Sequence, residues 1–426
     1  MPNKLLNLHY DGKSAKHFET KLLEVTGTAQ GGSTPEGLTT RFSMAIPNEL
    51  AAQYKLRPFE GSSSYEVDVR VEYIRTYDGC AFVCRLLDQQ RAPKLHELGL
   101  PYTLLRAIYR ATQEPSGLIL VSGPTGSGKT TLLNAILASL NDSQHSILTI
   151  ENPVEFRLKG PGPIKQIQVG GNITFARALR AGLRLDPDII LVGEIRDQET
   201  MEIALQAAQT GHLVLATIHS NSAPDSVTRA LDLTVDKARD AYRLADTLKL
   251  IVAQRLLDCY QGEGLVRNIT HDESTWLKVN GIDLGRGISE STGDDKKGKA
   301  AILEAIVIDQ AIKQVIRSER LSVAEIYTSA RNQIQYETLA MAGLRAVESR
   351  GCRLVDCMTR LESTTEAQGF PAIRLMLAKK HGISLAEVSA DIDAYCKELD
   401  EDSSNTTSLE EFFEKQALTK QVLKVA

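Results

Sequence analysis

Through the middle of the chain, short runs that are apolar throughout alternate with longer runs in which apolar residues recur every three to four positions. The continuous runs are Leu118 to Val121, Ile147 to Ile150, Ile189 to Val192 and Leu213 to Ile218, with a helical run, Thr131 to Leu140, after the first. Such runs fit strands buried on both faces, and strands alternating with helices predict a mostly parallel sheet flanked by helices. In a sheet of that kind the ligand lies beyond the carboxyl ends of the strands. The first third reads differently. Leu38 to Ile46 and Tyr65 to Leu87 carry alternating and β-branched positions (Val67, Val69, Val71, then Phe82 and Val83), divided by the turn sequences Gly61-Ser62-Ser63-Ser64 and Asp78-Gly79. This predicts a small sheet domain. A helical stretch from Leu95 to Thr112 follows, and Pro115-Ser116-Gly117 ends it as a linker into the core. Farther on, Leu244, Leu248, Ile251 and Val252 are spaced for burial on a helix ending at Arg255, which makes the Gln254-Arg255-Leu256 segment structural with a polar tip. The stretch Lys397 to Lys415 is acidic, rich in Ser and Thr and poor in apolar residues until Phe412-Phe413, and reads as a mobile tail with a short helix available to a partner.

The polar residues after the strands carry the candidate chemistry. Gly123, Pro124, Thr125, Gly126, Ser127, Gly128, Lys129 and Thr130 form a G-x-x-x-x-G-K-[ST] loop between an apolar run and a helical run that opens with Thr131. Glycines permit backbone turns that side chains would block, so successive N–H groups and the helix N-terminus can cradle phosphates. Lys129 would reach the β- and γ-phosphates of ATP and Thr130 would ligate Mg²⁺. After the next strands come Glu151-Asn152-Pro153-Val154-Glu155, Gly193-Glu194-Ile195-Arg196-Asp197 and His219-Ser220-Asn221. Transfer of a phosphoryl group to water needs an acid–base group, a metal on the phosphates and positive charge for the transition state. Carboxylates and a histidine at successive strand ends, beside a phosphate loop, supply the first two needs.

Composition narrows the classes. A chain of 426 residues accommodates two or three domains, and a formal net charge of -5 gives no global basic footprint, so no nucleic-acid partner is expected. The six cysteines include no C-x-x-C pair, since three residues separate Cys80 from Cys84 and four separate Cys352 from Cys357. They read as small buried hydrophobes in a reducing compartment. The opening MPNKLLNLHYDGKS lacks the apolar stretch of a signal peptide, and no run nears the roughly 18 to 20 apolar residues of a transmembrane helix, so a soluble, cytoplasmic protein is expected. The N-x-T matches at Asn172, Asn268 and Asn405 are then chance.

Four boxes occur in order: GPTGSGKTT, TIENPVE, ILVGEIRD and TGHLVLATIHSNSA, with ITFARALRAGLRLDPDII before the third and IVAQRLL after the fourth. In these the chain resembles the secretion ATPase superfamily of type II secretion and type IV pilus motors. The resemblance implies an α/β fold with a RecA-like P-loop core, a smaller α+β (PAS-like) N-terminal domain and a helical C-terminal end. It also implies a homohexameric ring that couples ATP hydrolysis to assembly or retraction of a pilus-like fibre, cytoplasmic and held at the inner membrane by a platform protein. The expected domains are residues 1–92 (PAS-like), 93–116 (linker and connecting helix), 117–365 (RecA-like ATPase with C-terminal helices) and 366–426 (helical extension and acidic tail).

Carried over position by position, the resemblance makes Glu151 the group that polarises the attacking water and Glu194 the group at the magnesium and its waters, alongside Thr130. His219 and His212 match histidines that sense the γ-phosphate or link to the neighbouring subunit, and Arg70 and Arg85 match arginines that reach the phosphates from the N-terminal domain. Arg177, Arg180 and Arg184 recur at helical spacing and read as a solvated face or subunit contact. The departures point to a subtype. Relatives carry a four-cysteine zinc module after the QRL segment, whereas Cys259 to Lys299 holds one cysteine in a polar, Gly/Asp/Lys-rich stretch that reads as a surface insertion, so no zinc is expected. KGKAAILEAIVID and QYETLAMAGLRAVESRGCRLVDCMTRLES resemble the assembly type, and the long N-terminal docking domain of secretion ATPases is not seen. The expected protein is a short assembly-type motor of a pilus or a related secretion or conjugation system. The alternatives are a nucleic-acid translocase of a conjugation system, which DNA-stimulated turnover would reveal, and a nucleotide-gated scaffold that does not hydrolyse.

Overall fold

The computed structural model describes residues 37–47, 64–77, 79–87, 93–170, 172–282, 287–318 and 321–361, then 383–401 and a few positions around them, including 377, 380–381, 409, 411–413 and 416. The chain divides into two compact units, Met1–Ala92 with Glu155–Leu158, and Pro93–Val154 with Lys159–Ala426. In the first, β1 (Gly37–Pro47), β2 (Ser64–Thr76) and β3 (Gly79–Leu87) form an antiparallel sheet in that order. Arg70 and Arg85 stand opposite each other in the register of β2 and β3, but their side chains lie outside the described residues.

The larger unit is built on a seven-stranded sheet. Its elements run α1 (Tyr102–Thr112), β4 (Gly117–Ser122), α2 (Lys129–Leu140), β5 (Ile147–Glu151), β6 (Ile164–Gln168), α3 (Phe175–Gly182), β7 (Ile189–Val192), α4 (Gln198–Gln209), β8 (Leu213–Ile218), α5 (Ala223–Asp232), α6 (Lys237–Thr247) and β9 (Leu248–Tyr260). Then come β10 (Gly264–Arg267), α7 (His271–Val279), β11 (Ile288–Ser291), β12 (Lys296–Val307), α8 (Gln310–Ile316), α9 (Val323–Ala330), α10 (Leu339–Arg350), α11 (Leu354–Arg360) and α12 (Leu385–Glu401). The strand order is β12-β9-β4-β8-β7-β5-β6, parallel throughout except for β12 against β9. Every residue of β4, β5, β7 and β8 is buried, as continuous apolar runs covered on both faces require. Side-chain caps start the following helices: Thr174 accepts from the Arg177 N–H, Asp197 from Thr200, Ser222 from Asp225 and Asp236 from Arg239.

Three expectations need correction. The segment through Gln254 and Arg255 is a strand: α6 stops at Thr247 and its C-cap Leu248 is already extended. Leu248 to Ala253 is a short apolar run flanked by β4 and β12, and periodicity alone does not separate such a strand from a buried helix. The polar stretch from Cys259 to Lys299 is also more than a surface loop. β10 and β11 pair antiparallel around α7, and Trp276, Leu277, Ile282 and Ile288 join the main core. Arg267 binds Glu273 through both terminal nitrogens, at 2.8 and 2.6 Å, and Glu290 through Nε at 2.6 Å. The Arg267 guanidinium outweighs burial and holds the Glu273 carboxyl down to about 2.

The third correction concerns the carboxyl end. Phe412 and Phe413, expected on a mobile tail, are buried, with Phe412 against Tyr395 and Phe413 against His381. The helix α12 covers the first part of the same stretch and lies on α1. Pro101 leaves α1 without a side-chain cap of its own. Asp393 fills that role from α12, accepting the N–H groups of Tyr102 and Thr103 at 3.0 Å each. About two turns later, Asp400 accepts from the Tyr102 hydroxyl at 2.9 Å and from Arg106 at 2.7 and 2.8 Å. Asp393→Ala should therefore cost about 1 kcal/mol, the usual worth of a cap, and Asp393→Asn, which offers one acceptor oxygen where the carboxylate offers two, should recover only part of it. The check is amide exchange at Tyr102 and Thr103 together with the urea midpoint; unchanged exchange in the alanine variant would refute the capping role.

Candidate nucleotide-binding site

The parallel sheet brings the carboxyl ends of β4, β8, β7 and β5 to one edge, and the sequence-predicted groups meet there. The phosphate loop leaves β4 at Gly123 and enters α2 at Lys129. Gly123, Gly126 and Gly128 all have positive φ, at 145°, 79° and 88°. A Cβ on Gly123 would stand 2.5 Å from the Gln254 carbonyl and 2.6 Å from Ser127 Oγ, so the backbone crosses there with no room for a side chain. Around Gly126 nothing lies within 4 Å of that position, and Pro124, Thr125 and Gly126 are exposed. The loop thus opens to solvent at its tip and is clamped at its base.

The Gly123 carbonyl is the meeting point. It accepts from Lys129 Nζ at 2.7 Å, and His219 Nδ1 faces it at 3.2 Å; Lys129 Nζ also donates to the Pro124 carbonyl at 3.0 Å. The other ring nitrogen, His219 Nε2, lies 2.8 Å from Glu194 Oε1, and Arg196 pairs with the second oxygen of that carboxylate. Burial would raise the Glu194 carboxyl, but Arg196, then His219 and Lys129, outweigh it and hold it below its ordinary value. Glu194 is accordingly an anion at neutral pH and a weak proton acceptor.

Glu151 ends the neighbouring strand. Gly193 donates its N–H to the Ile150 carbonyl at 2.8 Å, which sets the backbones leading to Glu151 and Glu194 side by side. Glu151 is buried at 3% exposure and accepts at Oε1 from Thr149 Oγ1 at 2.7 Å and from Gln166 Nε2 at 3.2 Å. Across β8, the Thr217 hydroxyl donates to the Gly193 carbonyl and Ile195 N–H to the Thr217 carbonyl at 2.9 Å, fixing the turn that carries Glu194.

The groups suit a nucleotide and a divalent ion. Left-handed glycines, an exposed loop tip and the N-terminus of a twelve-residue helix form an anion cradle. Among the described residues no group of three or more His, Cys, Asp or Glu could hold a metal by itself. Mg²⁺ bound here would depend on phosphate oxygens and water, with Thr130 and Glu194 as the protein groups, the usual mode for this ion at nucleotides.

Not every expected residue reaches the site. His212 sits at the opposite end of β8, where its backbone N–H and Nδ1 both meet the Ala207 carbonyl, at 3.2 and 3.0 Å. Six strand residues, on the order of 20 Å, separate it from His219, so it caps a helix end in its own chain. Arg177, Arg180 and Arg184 are exposed, with Arg180 paired to Glu199 at 2.8 Å. Sequence reading missed Gln254 and Arg255 as neighbours of the loop. Ser122 is in register with Ala253, so the next residue of β9 passes beside Gly123. The signal was present: polar residues follow an apolar run there as they do after β4, β5, β7 and β8.

Residues 60–359 match the family model described as Type II/IV secretion system protein. The chain belongs to this family. The type II secretion system protein HxcR of Pseudomonas aeruginosa is 40% identical over 296 residues, 68% of this chain and 56% of that protein. The type II secretion system ATPase E of Vibrio cholerae is 39% identical over 262 residues, 59% of this chain and 51% of that protein. This chain therefore spans about half the length of the curated relatives it matches. Among solved structures, the pilus retraction motor PilT with bound ADP superposes with a TM-score of 0.56 at 28% identity, over 77% of this chain and 79% of PilT. The larger unit of this secretion-family chain is a RecA-like α/β core with a helical carboxyl end.

The clamp at Gly123 generates a test. Gly126→Ala should cost about 1 kcal/mol of backbone strain, since only φ opposes it. Gly123→Ala should cost distinctly more, because a backbone carbonyl blocks the new methyl and cannot yield as a side chain would. Urea midpoints of the two variants give the comparison, and equal losses would contradict the clamp.

Proposed function

We propose that this chain hydrolyses ATP with Mg²⁺ and that the energy drives assembly of a type IV pilus or of a related secretion or conjugation fibre. The observation that carries the reading is the convergence of Lys129 and His219 on the Gly123 carbonyl, with Glu194 on the far side of the His219 ring and Glu151 on the adjacent strand end. Family membership, the relative named as an ATPase and the ADP-bound PilT neighbour support it.

The chemistry divides by environment. Lys129 exchanges its contacts with the Gly123 and Pro124 carbonyls for the β- and γ-phosphates, and the loop N–H groups take the remaining phosphate charge. Glu194, its basicity lowered by Arg196 and His219, suits the metal and its waters. Glu151, on the strand end next to Glu194, then orients and deprotonates the attacking water. His219, touching both Glu194 and the loop, responds to the γ-phosphate. Arg70 and Arg85 enter from the N-terminal domain to offset transition-state charge, and the protein works as a homohexamer, cytoplasmic and docked on an inner-membrane platform protein. The matched relatives act in type II secretion by name, while the assembly-type text after β12 favours a pilus-like fibre.

Lys129→Ala should abolish phosphate release in the purified protein; wild-type-like turnover in that variant would sink the assignment. Glu151→Gln should keep nucleotide affinity while turnover falls roughly 10²-fold, the scale of lost acid–base help. Parallel loss of binding and turnover would move Glu151 to the metal shell.

For the ring, Arg85→Ala should leave affinity within about tenfold and depress turnover, because transition-state charge is what the arginine serves. Mixing Arg85→Ala with Glu151→Gln subunits should restore part of the activity if the arginine serves a neighbour's site. No recovery would place it in its own subunit's site.

A further inference from the structure

His219 rides on a loop, His219 to Ala223, whose Ser220 hydroxyl lies 2.7 Å from that of Ser226, itself bonded to Ser122 at the end of β4. Two buried side chains from β9 and β12 grip its backbone. Arg255, 8% exposed on β9, donates from Nη2 to the Asn221 carbonyl at 2.7 Å and from Nη1 to the Gln254 carbonyl at 3.1 Å. Glu304, 1% exposed on β12, accepts at Oε2 from the Ala223 N–H at 2.8 Å and at Oε1 from the Tyr336 hydroxyl at 3.0 Å. In register, Glu304 is opposite Ala253 and Ile302 is opposite Arg255, so the two grips come from rungs of one antiparallel pair with a single rung, Leu303 opposite Gln254, between them. Gln254, between them, is 3% exposed, and its carbonyl backs Gly123.

We infer that Arg255 and Glu304 are positioning residues for the nucleotide site, acting through His219: they suspend its loop at two points so that the ring bridges Gly123 and Glu194. This rests on the proposed ATPase reading for its consequence in turnover and not for the geometry itself.

The interior gains little from an arginine and a carboxylate that each spend hydrogen bonds on a loop backbone, since apolar residues of similar size would pack a sheet as well. Burial pushes the Glu304 carboxyl up to about 7, partly offset by the Ala223 N–H and the Tyr336 hydroxyl, with Asp225 adding to the rise and Arg255 opposing it. Such a group is retained at a cost, and its contacts are with the loop that carries His219 on one side and with Tyr336, just ahead of α10, on the other. The arrangement makes the carboxyl-terminal elements a determinant of histidine geometry at the phosphates.

The test combines a kinetic cycle with a conservative rescue in the full-length chain. Arg255→Ala should lower kcat about tenfold while KM and the affinity for a fluorescent ATP analogue stay within about threefold, and Arg255→Lys, which retains a charge but not the two-headed reach, should fall between. If Arg255 acts through His219, adding His219→Ala to Arg255→Ala should give no further loss beyond the worse single variant; multiplied losses would overturn the inference. Glu304→Leu should behave as Arg255→Ala does. Glu304→Gln should be close to wild type, because the amide can accept from Ala223 N–H and donate to Tyr336 Oη; equal damage by Leu and Gln would overturn it. Absence of turnover in the wild type would defeat the ATPase reading alone. The positioning claim is then decided by amide exchange at residues 220–223, which should accelerate in Arg255→Lys and Glu304→Leu without change in β4 or β8, and which refutes the claim if it stays as in wild type.

Discussion

The close crossing of β9 behind the phosphate loop sets the geometry on which the rest of the site depends. Gly123 can lie against the Gln254 carbonyl only because it has no side chain, and at that spacing its own carbonyl faces the site, where Lys129 donates to it and His219 meets it. The carboxylate of Glu194 closes the group from β7. The constraint belongs to the sheet as a whole, since β4 is flanked by β8 on one side and β9 on the other and cannot shift without carrying both.

The two acidic groups at adjacent strand ends have different neighbours. Glu194 is half of an ion pair with Arg196 and a neighbour of two further cationic or potentially cationic groups, which favours a permanent anion beside a metal. Glu151 is buried, with a hydroxyl and an amide as its partners at Oε1.

The carboxyl-terminal third is integrated into this core. The helix α12 supplies the cap that α1 lacks, Phe412 and Phe413 fold into the interior, and β12 carries Glu304 to the loop of His219. The stretch after β9 is organised by Arg267 between Glu273 and Glu290. An arginine with two carboxylates can fix a hairpin and a helix as a metal would, provided the apolar residues beneath join a larger core, as Trp276 and Ile288 do.

The phosphate loop, the four buried strands and the strand-end residues Glu151, Glu194 and His219 were legible in the sequence because each is a local signal: glycines at fixed spacing, a continuous apolar run, a polar residue where the run stops. β9 was misread as helix because a short apolar run has the same composition in either form, and the choice fell to β4 and β12, which pair with it. His212 is paired with His219 only by the resemblance of the segment that holds both, and the six residues of β8 put the two histidines at opposite ends of the strand. The tertiary structure alone could join Arg255 to Asn221, Glu304 to Ala223 and Asp393 to Tyr102, since these pairs lie 34, 81 and 291 residues apart. A contact of that kind leaves no periodicity and no spacing to read. It exists because strands and helices specified locally were brought together by burial of their shared core.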